Sequence, residues 1–212
     1  FYEWIVLPDD LDGAYVPQRA RMRSLIPDGP VHQKERESTI VASGRDPSTP
    51  ALLAERSDVN VFQTDPLESD VEVTGSIMVN LWISSDAVDT DFTAKLLDTY
   101  PTSSEYPEGF HLPLEDSIRR ARFRDGFDGE KLMEPGKIYE LQIELPPVSN
   151  LFKKGHRIRL DISSSNFPRF DVNPNTGEPI GRHTRNQKAT NSVYTDVARP
   201  SHVVLPVVET KN

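Results

Sequence analysis

Cysteine is absent from all 212 residues, which excludes a disulfide framework and a thiolate metal site. No apolar run approaches the length of a membrane-spanning helix, so no membrane partner is expected. Positive charge is in deficit, with 24 Lys and Arg against 33 Asp and Glu and a formal net charge of −9. Such a surface repels a polyanion, so nucleic acid is not an expected partner. The five histidines (His32, His111, His156, His183 and His202) fall at no metal-ligand spacing. A zinc or iron site is therefore not expected, and neither is a cofactor. Of the five, only His183, in a long polar loop, is worth testing. The Gly-x-Ser-x-Gly turn of the α/β-hydrolases is missing, and with it any legible catalytic nucleophile. Phe1 is not an initiator Met, and no targeting pattern follows it. The expectation is a piece cut from a longer protein, with the cytoplasm the favoured location.

What is present is strand after strand. In Arg157–Ser163, Ile158, Leu160 and Ile162 alternate with Arg157, Arg159, Asp161 and Ser163. A period of two puts an apolar face on a core and a charged face toward solvent or a partner. About nine such segments run from Asp58 to Val208, among them 71–75 leading into 77–84, 92–98, 118–124, 138–145 and 203–208. No long amphipathic helix separates them. Many short strands without crossover helices predict an all-β, antiparallel, jelly-roll β-sandwich. Residues 1–57 are weakly patterned and broken by proline and glycine. They are expected to wrap over the body, with short strands near Tyr2–Leu7 and Ser38–Ala42, while 58–212 form the sandwich, one domain in all. Two long loops are expected, at 99–115 and 166–190, the kind of segment that carries function or an interface.

Four constellations invite a chemical reading. Ser163, Ser164 and Ser165 lack flanking glycines and read as turn and edge hydrogen bonders. The acidic run Asp86 to Asp91 offers oxygens to calcium, but no glycine or distal Glu follows in register. Its carboxylates are better read as capping a turn or pairing with arginines. Arg119, Arg120, Arg122 and Arg124 crowd one segment and read as an exposed sheet face paired with carboxylates, or as a domain interface. Trp82, Tyr106, Phe110, Phe167 and Phe170 would suit a sugar-stacking platform, although Trp82 sits mid-strand as a core residue would.

Several ordered motifs then resemble one family. They are Asp58–Leu67, Val71–Gly75, Asp89–Leu96, Ile118–Arg124, Gly155–Asp171 and Asn173–Gly177. Together they resemble the C-terminal domain of the cocaine esterase, X-prolyl dipeptidyl peptidase and α-amino acid ester hydrolase family. The resemblance implies a galactose-binding-like jelly-roll, attached to an α/β-hydrolase domain that holds the Ser-His-Asp triad. It implies that no catalytic residue lies in this chain and that the missing hydrolase domain is its partner. It also implies contacts within a homo-oligomer. In the loop after the signature strand, Phe167 and Phe170 flank Arg169, an apolar anchor beside a planar cation. Asn166, Phe167, Arg169 and Phe170, with Asp89, Asp91 and Arg157, are expected to form a structural node near that interface. Asp91 is expected to pair with Arg169 or Arg157. The isolated chain is expected to be inert toward esters and to self-associate. The alternative is a stand-alone carbohydrate-binding sandwich.

Overall fold

In the computed structural model, the residues described are 3–6, 22–24, 32–36, 58–179 and 181–208. Among these residues, twelve strands make two antiparallel sheets. The first holds β1 (Glu3–Val6), β3 (His32–Arg36), β5 (Val71–Ser85), β8 (Tyr139–Phe152), β10 (Ala189–Tyr194), β11 (His202–Leu205) and β12 (Val207–Val208). The second runs in the order β2 (Met22–Ser24), β4 (Asn60–Thr64), β9 (Arg157–Ser163), β6 (Asp91–Tyr100) and β7 (Phe110–Arg120). The chain is all-β, as its periodicity predicts. The edge strand expected at Ser38–Ala42 lies outside the described residues.

β5 is the spine of the first sheet. Along one side it pairs with β8, and along the other with β12, β11 and β10 in turn. The segments expected as 71–75 and 77–84 are one strand, bent where the register shifts between Gly75 and Ile77. There Pro146 and Pro147 of β8 bring no N–H to the ladder, so a bulge is the natural outcome. Gly75 has φ +136°, and a Cβ there would lie 3.1 Å from the Pro206 ring. Odd-numbered residues of β5 from Ile77 to Ile83 are buried, as are Leu141, Ile143 and Leu145 of β8. They meet Phe62, Phe92, Ala94, Leu96, Ile158, Leu160 and Ile162 from the second sheet in one core. Alternation thus places half of each strand between the sheets.

Three sequence expectations are corrected. The strand expected over 118–124 ends at Arg120, and Ala121–Phe123 form a 3-10 turn. The loop expected over 99–115 is shorter, because β6 runs to Tyr100 and β7 begins at Phe110. Pro113 obscured that strand's pattern. It is tolerated because β7 is the sheet's edge, where a lost donor costs no ladder bond. The charged face of β9 does not face water: Arg159 and Asp161 are 2 % and 4 % exposed. They lie two residues apart on one side of the strand. Arg159 Nε donates to Asp161 Oδ1 at 2.7 Å and Nη2 to Oδ2 at 2.9 Å. Their charges cancel locally, which is what lets both be buried.

Candidate functional site

At the start of β6, Asp89 and Asp91 are both buried, at 0 % and 1 % exposure. Asp91 stands opposite Arg120 in the β6–β7 ladder. Arg120 grips it with two parallel bonds, Nε to Oδ1 at 2.9 Å and Nη2 to Oδ2 at 3.0 Å. Asp89 takes the next arginine along. Its Oδ1 accepts from the Arg122 backbone N–H at 3.0 Å, and its Oδ2 from Arg122 Nε at 2.8 Å. That double capture explains the 3-10 turn, because Asp89 holds the chain where it leaves β7. It also explains why Arg122 is buried rather than on an exposed sheet face.

Asn173 joins the two acids. Its Nδ2 donates to Asp89 Oδ2 and to Asp91 Oδ1, each at 2.8 Å. Its Oδ1 accepts from the Asn175 N–H at 2.9 Å, and Asn175 adopts φ +61°. Asn175 Nδ2 then donates to the Gln187 carbonyl at 2.9 Å, closing the base of the long loop. Arg122 adds bonds to Glu130 Oε2 and to the Glu178 carbonyl, both at 3.1 Å. Burial pushes the Asp91 carboxyl up from its ordinary range, against the pull of Arg120 and Asn173. The same contact raises Arg120, whose side chain is 15 % exposed against 1 % for its partner. Two carboxylates, two guanidiniums and one amide thus form a near-neutral, fully bonded node.

The expected site residues divide between this node and other places. Asp89 and Asp91 are in it. Arg169 and Arg157, the expected partners of Asp91, are not. Arg169 forms an ion pair with Asp116 Oδ1 at 2.9 Å, and Asn166 Nδ2 donates to Asp116 Oδ2 at 2.5 Å. Both pin the loop to β7. Phe170 lies under the Arg169 guanidinium at 5.8 Å, and Phe167 is 49 % exposed. Arg157 Nη1 donates to the Thr64 carbonyl at 2.9 Å, tying β9 to the end of β4. The register of β6 against β7 decides these pairings: Asp91 faces Arg120, and Asp116 faces Lys95. Arg120, Arg122 and Asn173 were missed as node members. The usable signal was the Asp-x-Asp spacing matched by Arg-x-Arg two strands' length away.

The serine run has local partners. Ser163 Oγ donates to the Ser165 carbonyl at 3.0 Å and lies 2.6 Å from Thr93 Oγ1. Ser164 Oγ accepts from Asn191 Nδ2 at 2.8 Å. A histidine–carboxylate pair does exist, His156 Nδ1 to Asp98 Oδ1 at 2.9 Å. The imidazole lies against Tyr100, with ring centroids 4.2 Å apart and the planes tilted by 40°. None of these hydrogen bonds links a serine to a histidine, so no nucleophile–base geometry arises from them. Asp86, the remaining carboxylate of the 86–91 run, accepts from the Thr190 N–H at 2.7 Å. Among the described residues, no three His, Asp or Glu converge as a metal site would require. The aromatic residues considered for sugar binding come from several elements. Trp82 is on β5 in the first sheet, the 166–171 loop is pinned to β7 in the second, and Tyr106 and Phe110 stack on each other at 5.1 Å.

A family model described as the X-Pro dipeptidyl-peptidase C-terminal non-catalytic domain matches residues 20–204. The chain belongs to this domain family. Its node residues lie inside the matched span, as do the motifs that build them. Cocaine esterase of Rhodococcus sp. (strain MB1 Bresler) is 41 % identical over 165 residues, covering 77 % of this chain and 28 % of the esterase. Among solved structures, an α-amino acid ester hydrolase aligns with TM-score 0.77 and 28 % identity over 87 % of this chain and 33 % of its own. An aminopeptidase from a marine-sediment Thaumarchaeota archaeon aligns with TM-score 0.76 and 28 % identity over 99 % of this chain and 37 % of its own. The chain therefore spans about 28 % of the curated esterase it matches, and 33 % and 37 % of the two solved structures.

Proposed function

We propose that the chain packs on an α/β-hydrolase domain and supports the assembly of a serine esterase or peptidase, the hydrolase domain supplying all of the chemistry. The observation that carries this reading is the fate of the charged motifs. Asp89, Asp91, Arg120, Arg122 and Asn173 satisfy one another in a buried node rather than presenting an acid, base or nucleophile to a cleft. The proteins it resembles are named as hydrolases of esters and as an aminopeptidase, so an ester or amide is the substrate class proposed for the whole protein. Exposed Phe167, in the loop that carries the Arg169–Phe170 pair, and Phe127 (76 % exposed) under Arg119 at 5.0 Å have the aromatic–guanidinium character of interface anchors. We assign them to the hydrolase contact, or to self-association when that domain is missing.

Complementation tests this reading. Cocaine esterase truncated to remove the segment matching this chain should lose soluble ester hydrolysis. Co-expression with this chain should restore activity in a complex that purifies as one-to-one. Recovery of fully active truncated esterase that never binds the chain would refute the packing role.

A further inference from the structure

At one end of the sandwich, between the two sheets, lies a small pocket, partly open to solvent, with about 20 Å³ of room for water. Its walls include Asn60, Phe92, Ile162, Ser164, Asn191 and Val193. Asn60 comes from β4 in the second sheet and Asn191 from β10 in the first. The two are 7 % and 8 % exposed, and Oδ1 of each is buried without a hydrogen-bond partner in the protein. Buried amide oxygens are seldom left so, because losing water without gaining a donor is unfavourable. Two such oxygens lining one small cavity call for one shared donor.

The hydrogen bonds around them identify the kind of donor. Asn191 Nδ2 donates to Thr90 Oγ1 at 2.9 Å and to Ser164 Oγ at 2.8 Å. Ser164 accepts in that contact, which leaves its own hydroxyl proton to be given away. The cavity therefore offers two acceptors and one donor. We propose that it is a hydration site built on these two buried amide oxygens. One water donates to Asn60 Oδ1 and to Asn191 Oδ1 and accepts from the Ser164 hydroxyl, linking the two sheets where their apolar core ends. Three bonds are the usual complement of a buried water, and a cavity needs only about 10–15 Å³ to hold one. A metal cation also takes amide oxygens, and Asp58 and Ser163 stand on the same wall, but among the described residues no three carboxylates or imidazoles converge here, and calcium requires about six to eight oxygens. Exchanging O and N in the Asn191 amide would turn an N–H into the cavity. A water accepts that bond too, whereas a cation is repelled by it.

A crystal structure of the chain at a resolution that shows ordered solvent tests the site directly. The expected density is a single peak about 2.7–3.2 Å from both Asn60 Oδ1 and Asn191 Oδ1. An empty cavity overturns the proposal, and so does an ion with six or more oxygens at about 2.3–2.6 Å. In solution, a long-lived water should give a nuclear Overhauser effect to the methyls of Ile162 and Val193. That effect should be lost in the Asn60→Leu, Asn191→Leu double variant. Its absence from the unsubstituted chain, or its persistence in a folded double variant, would contradict the assignment. If the double variant does not fold, the crystal structure and the unsubstituted chain still decide.

Discussion

Asp91 accepts three hydrogen bonds, two from Arg120 and one from Asn173, and almost none of it touches solvent. Removing one member of such a pair strands the other charge in the interior, which costs about 3–5 kcal/mol. Arg120→Met and Asp91→Asn should each destabilise on that scale, while the double variant should cost far less than their sum. A double-mutant cycle in denaturant should thus show coupling of about 2 kcal/mol or more, and coupling near zero would mean that the pair is incidental. The pH dependence has a definite sign. Burial raises the Asp91 carboxyl above its unfolded value of 3.8, so the folded state holds that proton more tightly. Stability contributed by this group is fully present below pH 3.8 and is lost as pH rises through the raised folded value. The stability of the wild-type chain relative to Asp91→Asn should accordingly increase as the pH is lowered from 7 toward 4. An advantage that shrinks over that range would show a lowered carboxyl instead. Asp98 and Asp161, also raised by burial, act in the same direction.

The loop from β9 to β10 shows how short turns fix long segments. Gly177 has φ +73°, and a Cβ on it would come within 2.9 Å of Val88 Cγ2 and 3.2 Å of Leu132 Cδ1. Gly155 has a similar φ of +86° with nothing within 4 Å. Both should lose about 1–2 kcal/mol on change to Ala through the left-handed backbone alone. Gly177→Ala should lose measurably more, because Val88 sits just before Asp89 and is not free to move away. Equal losses, measured by thermal unfolding, would show that the loop shifts at no cost. At this scale the strands were legible and their ends were not. The alternation of Ile158, Leu160 and Ile162 specified β9, but alternation says only that a face is charged, and Arg159 with Asp161 made that face fit for burial. The end of β7 is set by Asp89, which lies 33 residues before Arg122. No local pattern carries such a contact. The motifs containing Asp89, Arg122 and Asn173 could be picked out in sequence, but which acid meets which arginine follows from strand register, so the expected pairing with Arg169 or Arg157 failed.

Among the described residues, the molecule is a two-sheet scaffold whose Asp89–Asp91 and Arg120–Arg122 motifs are turned inward, while Phe127, its most exposed large apolar side chain, lies under Arg119. That division of labour suits a domain that holds another in place. Its charged groups fix loops and strand ends, and its serines bond to threonine, asparagine and backbone neighbours. The most direct check of this account is to incubate the purified chain with a p-nitrophenyl ester and, separately, with a serine-reactive fluorophosphonate. The account predicts no turnover above the uncatalysed rate and no covalent labelling. Stoichiometric labelling of one serine would contradict it, because that serine would need a base and an orienting acid that the geometry around Ser163, Ser164 and Ser165 does not supply.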